Sequence, residues 1–142
     1  MINCSGSVAI TEEKTDNEKP TLTVDQQKQK ALEFFINGGV FESQGNYESA
    51  VGQYEKALLY DSSAGLYYTL AKNYVYLNKL VPALNYSQKA LELDSTKIEY
   101  YDLLADIYNY GNKTESAIAT LEKAIELDSM NIELNYKLAR LY

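Results

Sequence analysis

Three segments of this chain are near copies of one another, and their spacing constrains the fold more than any other feature. They read EKALLYDS from position 55, QKALELDS from position 88 and EKAIELDS from position 122. The alanines inside them, Ala57, Ala90 and Ala124, lie 33 and 34 residues apart. A period of this length is typical of a repeat made of two helices joined by a turn, in which neighbouring copies stack side by side.

Other positions recur with the same step. The small residues are Gly38, Ala71, Ala105 and Ala139 in one column and Ala50, Ala83 and Ala117 in another. The aromatic residues are Phe41, Tyr74, Tyr108 and Tyr142 in one column and Phe34, Tyr67 and Tyr101 in another. Small residues let two helix backbones approach closely, and aromatic rings fill the space between repeats. Because one repeat cannot bury its apolar stripe alone, about three stacked repeats are needed for stability.

These columns resemble the tetratricopeptide repeat (TPR) family. Its pattern is aromatic, Leu, Gly or Ala, and Tyr on the first helix, then Ala, aromatic, Ala and Pro on the second. The resemblance covers roughly residues 31–142 and implies an all-α, right-handed superhelix. It would contain three full helix-turn-helix repeats and one extra C-terminal helix. Ser62, Ser95 and Ser129 stand where the family places Pro, each after an Asp, so we expect Asp and Ser side chains to end the second helices.

The chain divides into a tail and a domain. We interpret residues 1–22 as a flexible polar tail and residues 23–142 as the TPR domain, with repeats at about 31–63, 64–97 and 98–131 and a half repeat at 132–142. The predicted helices are 24–43, 47–60, 64–77, 80–93, 98–110, 114–127 and 132–142.

Local signals support these helix boundaries. Thr23 and Gln26 have the spacing of a capping box at the start of the first helix. Gly45, Asn78 and the pair Gly111–Asn112 fall where each hairpin turn needs a left-handed backbone.

The residue inventory argues against catalysis. The chain has no histidine and one cysteine, which excludes Ser-His-Asp and Cys-His centres and zinc sites of the usual type. Asp102 and Asp106 stand one helical turn apart and suit either acid-base chemistry or a hard cation, but a partner-facing acidic patch is the simpler interpretation. We therefore predict no enzyme, no cofactor and no metal site.

Charge and hydropathy limit the partners. The net charge is −7 and the single arginine is Arg140, which argues against nucleic acid, because phosphate backbones call for clustered Lys and Arg. No apolar run approaches the ~20 residues that cross a membrane, so we predict no transmembrane segment.

Cys4 carries the one indication of location. A cysteine followed by Ser-Gly-Ser and a polar stretch resembles the start of a mature bacterial lipoprotein, with the lipid on Cys4. Met1-Ile2-Asn3 provides no hydrophobic signal segment before it. A periplasm-facing lipoprotein and a cytoplasmic protein with an incidental thiol both remain open.

The resemblance also implies a binding surface, because the concave face of TPR proteins is lined by the first helix of each repeat. Transferred to this chain, the groove consists of Phe35, Gly39, Tyr68, Lys72, Val75, Tyr76, Asp102, Asp106, Asn109, Tyr110, Tyr136 and Arg140. TPR domains that hold the acidic C-terminus of heat-shock chaperones place Lys, Asn and Arg at the positions matching Phe35, Gly39, Tyr68, Glu99 and Leu103. None of these is a cation, so we do not expect a carboxylate clamp.

We therefore predict a noncatalytic protein-protein interaction module. Its partner would be a peptide or protein segment with apolar anchors and some positive charge, held on a strip formed by Tyr68, Tyr76 and Tyr110. Two alternatives remain: a structural scaffold that self-associates, and the interaction region of a larger protein. Residues 132–142 are expected to expose Leu134, Leu138, Leu141 and Tyr142 and so to form a weak homodimer.

Overall fold

The computed structural model of this protein describes residues 21–142, which form seven α-helices and no strand. The helices are α1 (Val24–Ser43), α2 (Tyr47–Leu58), α3 (Ala64–Tyr76), α4 (Leu80–Leu93), α5 (Ile98–Tyr110), α6 (Thr114–Leu127) and α7 (Ile132–Leu141). The all-α prediction is confirmed, and the observed helices end within two residues of the predicted ones. None of the seven combines the length and apolar character that crossing a bilayer requires. Cys4 and most of the predicted tail lie outside the described residues.

Each repeat is a hairpin of two packed helices. The helices pair as α1 with α2, α3 with α4 and α5 with α6, and each second helix also packs against the first helix of the following repeat. Six alanines of the repeat columns have no exposed surface, namely Ala50, Ala83, Ala117, Ala57, Ala90 and Ala124. Larger side chains there would push the helices apart, so the alanine columns follow directly from close packing.

The caps and turns also follow the sequence signals. Thr23 forms the predicted capping box with Gln26. The hairpin turns place Gly45, Asn78 and Asn112 in the left-handed region, with φ of 72°, 54° and 55°. Gly111 has an ordinary φ of −84°, so Asn112 alone makes the third turn.

Asp side chains end two of the second helices, where the family has Pro. The Asp94 carboxylate accepts hydrogen bonds from the backbone and the hydroxyl of Thr96, and the Asp128 carboxylate accepts one from the backbone N–H of Met130. These Asx-type turns provide hydrogen-bond acceptors for backbone N–H groups at the point where the chain leaves the helix and turns into the next repeat.

The expectation that α7 exposes its leucines is wrong. Leu134 is 2% exposed and packs in a cluster with Ala105 and Leu121, and Leu138 and Leu141 are half-buried against the same cluster. The leucines point inward because they continue the apolar stripe of the earlier first helices. The exposed apolar side chains of α7 are instead Ile132 and Tyr136, with Tyr142 directly after the helix.

Two tyrosines outside the predicted packing columns are the most deeply buried. Tyr54 and Tyr100 are only 2% and 7% exposed. The tyrosines of the predicted aromatic columns, by contrast, are half-buried, namely Tyr67, Tyr74, Tyr101 and Tyr108. Tyr54 fits because Gly38 on α1 leaves space for its ring. The same repeat position holds Ser87 and then Leu121, so side-chain size at this site varies from repeat to repeat.

Candidate protein-interaction site

A surface pocket of about 520 Å³ lies between the amino-terminal halves of α1 and α3 and the start of α5. We call it the anchor pocket. Its apolar lining consists of Ala31, Leu32, Phe35, Ala57, Leu66, Tyr68 and Tyr100, and its polar rim consists of Lys28, Asp61, Ser63, Thr69 and Glu99. We call the face formed by α1, α3, α5 and α7 the first-helix face; the pocket is bordered by the first three of these helices and by the end of α2.

Helix register explains the apolar lining. On α1, Ala31 and Phe34 face the packed interior, so the adjacent Leu32 and Phe35 point outward, with 57% and 41% of their surface exposed. On the opposite wall the rings of Tyr68 and Tyr100 stack with their centroids 4.9 Å apart. The pocket is therefore open, and Tyr68 is the more accessible ring of the aromatic pair that borders it.

The rim of the anchor pocket carries two carboxylates. Asp61 follows α2, and Glu99 lies in the first turn of α5. Neither lies within ion-pair distance of a lysine or arginine among residues 21–142. Burial raises the pKa of Tyr68 and of Tyr100, and the nearby Glu99 carboxylate raises both further, whereas the Lys72 cation lowers the pKa of Tyr68. Tyr68 therefore lies near charges of both signs.

Asp102 and Asp106 do not form the free acidic patch that we expected. Lys137 of α7 donates hydrogen bonds to Asp102 at 2.6 Å and to Asp106 at 3.2 Å. Burial raises the pKa of Asp106 even though Lys137 opposes this shift. Sequence spacing revealed the two aspartates, but only the packing of α7 against α5 revealed their cation.

A second, more polar cleft of about 470 Å³ lies between α5 and α7. Four predicted groove residues line it, namely Asp106, Asn109, Tyr110 and Arg140. The Arg140 guanidinium lies 5.8 Å from the centroid of the Tyr136 ring, which is exposed. The structure thus brings these residues together, but in a site separate from the anchor pocket.

The three tyrosines expected to form one strip occupy three different places. Tyr68 stacks on Tyr100 in the anchor pocket, and Tyr110 lines the polar cleft. Tyr76 stacks on Tyr47 of α2 at a centroid distance of 4.6 Å. The rings separate because Tyr68 and Tyr76 are eight residues apart, about 12 Å along the helix, and each finds a nearer aromatic partner.

The middle of the first-helix face is held by a polar network centred on Glu42 of α1. Its carboxylate accepts hydrogen bonds from Tyr54 at 2.8 Å and Asn73 at 3.0 Å, and Lys72 forms an ion pair with it at 2.7 Å. Burial alone would raise the pKa of Glu42, but the hydrogen bonds from Asn73, Lys72 and Tyr54 together lower it. Lys72, a predicted groove residue, therefore joins the first two repeats.

The other predicted groove residues are less distinctive. Gly39 is exposed on α1, and Val75 is half-buried on α3. No cluster of three potential metal-ligating side chains occurs within the described part of the chain. The prediction missed Leu32, Asp61 and Tyr100, because the transferred pattern considered only first-helix positions matching known groove residues.

The stacked hairpins and the open face that their first helices form define a helical solenoid of the class that presents a binding surface. Sequence models described as "Tetratricopeptide repeat" and "TPR repeat" match residues 64–97 and 105–142, which together span half of the chain. The chain belongs to the tetratricopeptide repeat family. No curated protein sequence matches it.

Solved structures agree with this assignment. The first TPR domain of Spaghetti (RPAP3) bound to the HSP90 peptide SRMEEVD is 26% identical with a TM-score of 0.72, covering 80% of this chain and 93% of that one. The second TPR domain of human RPAP3 in complex with the HSP70 peptide SGPTIEEVD is 21% identical with a TM-score of 0.75, covering 81% and 97%. YrrB, described as a TPR protein with an unusual peptide-binding site, is 22% identical with a TM-score of 0.73, covering 84% and 62%.

Proposed function

We propose that this chain is a noncatalytic interaction module that binds a segment of a partner protein along the first-helix face. The observation that carries the proposal is the anchor pocket, in which exposed Leu32 and Phe35 lie opposite the stacked pair Tyr68 and Tyr100. Apolar and aromatic groups that converge in an open pocket are the usual anchors of protein recognition. Two neighbours of the same fold were solved with bound peptides, which supports a peptide-binding role here.

The bound segment is expected to differ from acidic chaperone tails. At the positions that would need cations for a carboxylate clamp, this chain has Phe35, Gly39, Tyr68, Glu99 and Leu103. Three of these line the anchor pocket, where they contribute apolar surface and one carboxylate. The partner segment is therefore expected to offer apolar anchors and positive charge.

Peptide selection on the purified chain tests this function. A phage-displayed library of random dodecapeptides would be selected on the wild-type chain, and the recovered peptides would be titrated against Leu32→Gln and Leu127→Gln. Leu127 is also exposed but lies at the end of α6, which contributes no residue to the pocket, so it provides a matched control. We expect Leu32→Gln to weaken binding about tenfold, the usual loss at an anchor contact, and Leu127→Gln to leave it unchanged. Equal affinities for both variants, or no recovered peptides, would exclude the pocket as the binding site.

A further inference from the structure

The charged residues on the rim of the anchor pocket favour one kind of partner side chain over another. Asp61 and Glu99 lie on its rim without an ion-pair partner among residues 21–142, and Lys28 is the one cation that lines it. Both carboxylates are exposed, so a purely aliphatic anchor would leave their charge unpaired. A cationic anchor would supply the missing charge.

The apolar lining suits the rest of a long basic side chain. Leu32 and Phe35 can contact an aliphatic stem, since Lys and Arg bury their methylene groups while the charged end stays near polar groups. Tyr68 is half-buried and stacks on the buried Tyr100, so Tyr68 is the ring that a cation can contact. Glu99 is close enough to raise the pKa of both tyrosines, although burial is the larger cause and Lys72 lowers the pKa of Tyr68.

We propose that the anchor pocket binds an arginine or lysine side chain of the partner segment, with its stem against Leu32 and Phe35 and its cation between the Tyr68 ring and the carboxylates of Asp61 and Glu99. This inference rests on the proposed function and specifies its main contact. Arginine is the preferred residue, because a planar guanidinium stacks on aromatic faces and binds carboxylates with two parallel hydrogen bonds.

The first experiment replaces the anchor in peptides recovered by the library selection. Each arginine would be changed to citrulline, which has nearly the same shape but no charge, and to norleucine, which keeps an apolar chain. We expect both changes at the anchor position to weaken binding about tenfold, and lysine to bind more weakly than arginine. Recovered peptides without a basic residue, or with equal affinity after the citrulline change, would overturn the inference. If those same peptides still required Leu32, the proposed function would stand.

Protein variants and a small probe complete the test. Glu99→Gln is expected to reduce the preference for arginine over citrulline about fivefold or more, whereas Glu126→Gln, at an exposed position on α6, leaves it unchanged. N-acetyl-arginine amide, titrated at millimolar concentrations and followed by NMR, is expected to shift the amide signals of Tyr68, Glu99 and Tyr100. The citrulline analogue should not. Equal shifts from both compounds, or no shift from either, would contradict a cation-binding pocket independently of the peptide selection.

Discussion

The ring of Tyr54 on α2 occupies the space that a side chain at Gly38 on α1 would need. A Cβ atom built at position 38 would lie 2.5 Å from Cε1 of that ring, well inside van der Waals contact. The ring cannot move aside easily, since it is buried and its hydroxyl donates a hydrogen bond to Glu42. Gly38 is thus required by one specific neighbour, in addition to the family preference for a small residue.

Replacing this glycine should therefore destabilise the first repeat. Gly38→Ala is expected to lower the free energy of unfolding by about 1–3 kcal/mol, because the added methyl group overpacks the hairpin. Gly52→Ala is the control: it lies in α2 with nothing within 4 Å of its Cβ position, so it should raise stability by about 0.5–1 kcal/mol through helix propensity. Urea denaturation measures both. If both variants changed the free energy of unfolding in the same direction, the packing of Tyr54 against Gly38 would be contradicted.

The third repeat offers a second packing test. Ala105 is 2% exposed and lies in the cluster with Leu121 and Leu134, so Ala105→Leu should lower the free energy of unfolding by about 1–3 kcal/mol. Ala119 is exposed on α6, and Ala119→Leu should change stability by less than about 0.5 kcal/mol. Thermal melts followed by circular dichroism would compare them, and equal melting temperatures would rule out this helix register.

Glu42 should make the domain less stable in acid. Its folded pKa lies below the ordinary value of 4.5, so its stabilising contribution is present above that pH and is lost as the pH falls through the folded pKa. Glu42→Gln is expected to cost about 1–2 kcal/mol at neutral pH, because charge-assisted hydrogen bonds are lost, and less as the pH falls through the folded pKa of Glu42. Urea titrations over a series of acidic pH values measure this difference, and a cost independent of pH would disprove the role of its charge.

Asp106 should show the opposite pH dependence. Its folded pKa lies above the ordinary value of 3.8, so the folded state binds its proton more tightly and stability falls as pH rises from that value through the folded pKa. Lys137 limits this loss of stability, because its positive charge favours the ionised form of Asp106. Lys137→Met is expected to cost about 1–2 kcal/mol at neutral pH and less near pH 3, where Asp106 is protonated. Lys123→Met, at an exposed site on α6, should show no such dependence. A cost for Lys137→Met that grows in acid would contradict the pairing.

Self-association through residues 132–142 stays a prediction, but the structure changes which side chains would carry it. Ile132 and Tyr142 are more than 80% exposed, whereas the leucines of α7 are turned inward. If the chain forms a weak homodimer there, Ile132→Glu should abolish it by placing a charge in an apolar contact. Val81→Glu, at an exposed site on α4, is the control. Sedimentation equilibrium of the wild-type chain and both variants over a range of concentrations would measure the dimerisation. A wild-type chain that is monomeric at every concentration would exclude the dimer.

The sequence by itself determined the architecture of this protein. Because the alanines at positions 57, 90 and 124 must each let two helices touch, their spacing predicted the hairpins. The left-handed backbone at Gly45, Asn78 and Asn112 was likewise predictable, because it depends on local residue type. Such signals survive in the sequence because each reflects a constraint that acts within one helix or turn, or between adjacent ones.

Only the tertiary structure decided the charges and contacts of the binding face. Lys137 pairs with both Asp102 and Asp106 from a helix more than 30 residues away, so an apparent acidic patch became a partly exposed, partly compensated ion cluster. Asp61 and Glu99 instead lie on the rim of the anchor pocket. Whether a carboxylate forms an ion pair depends on which side chains come into contact when separate helices pack. The repeat period relates equivalent positions in different repeats, but it does not specify those contacts.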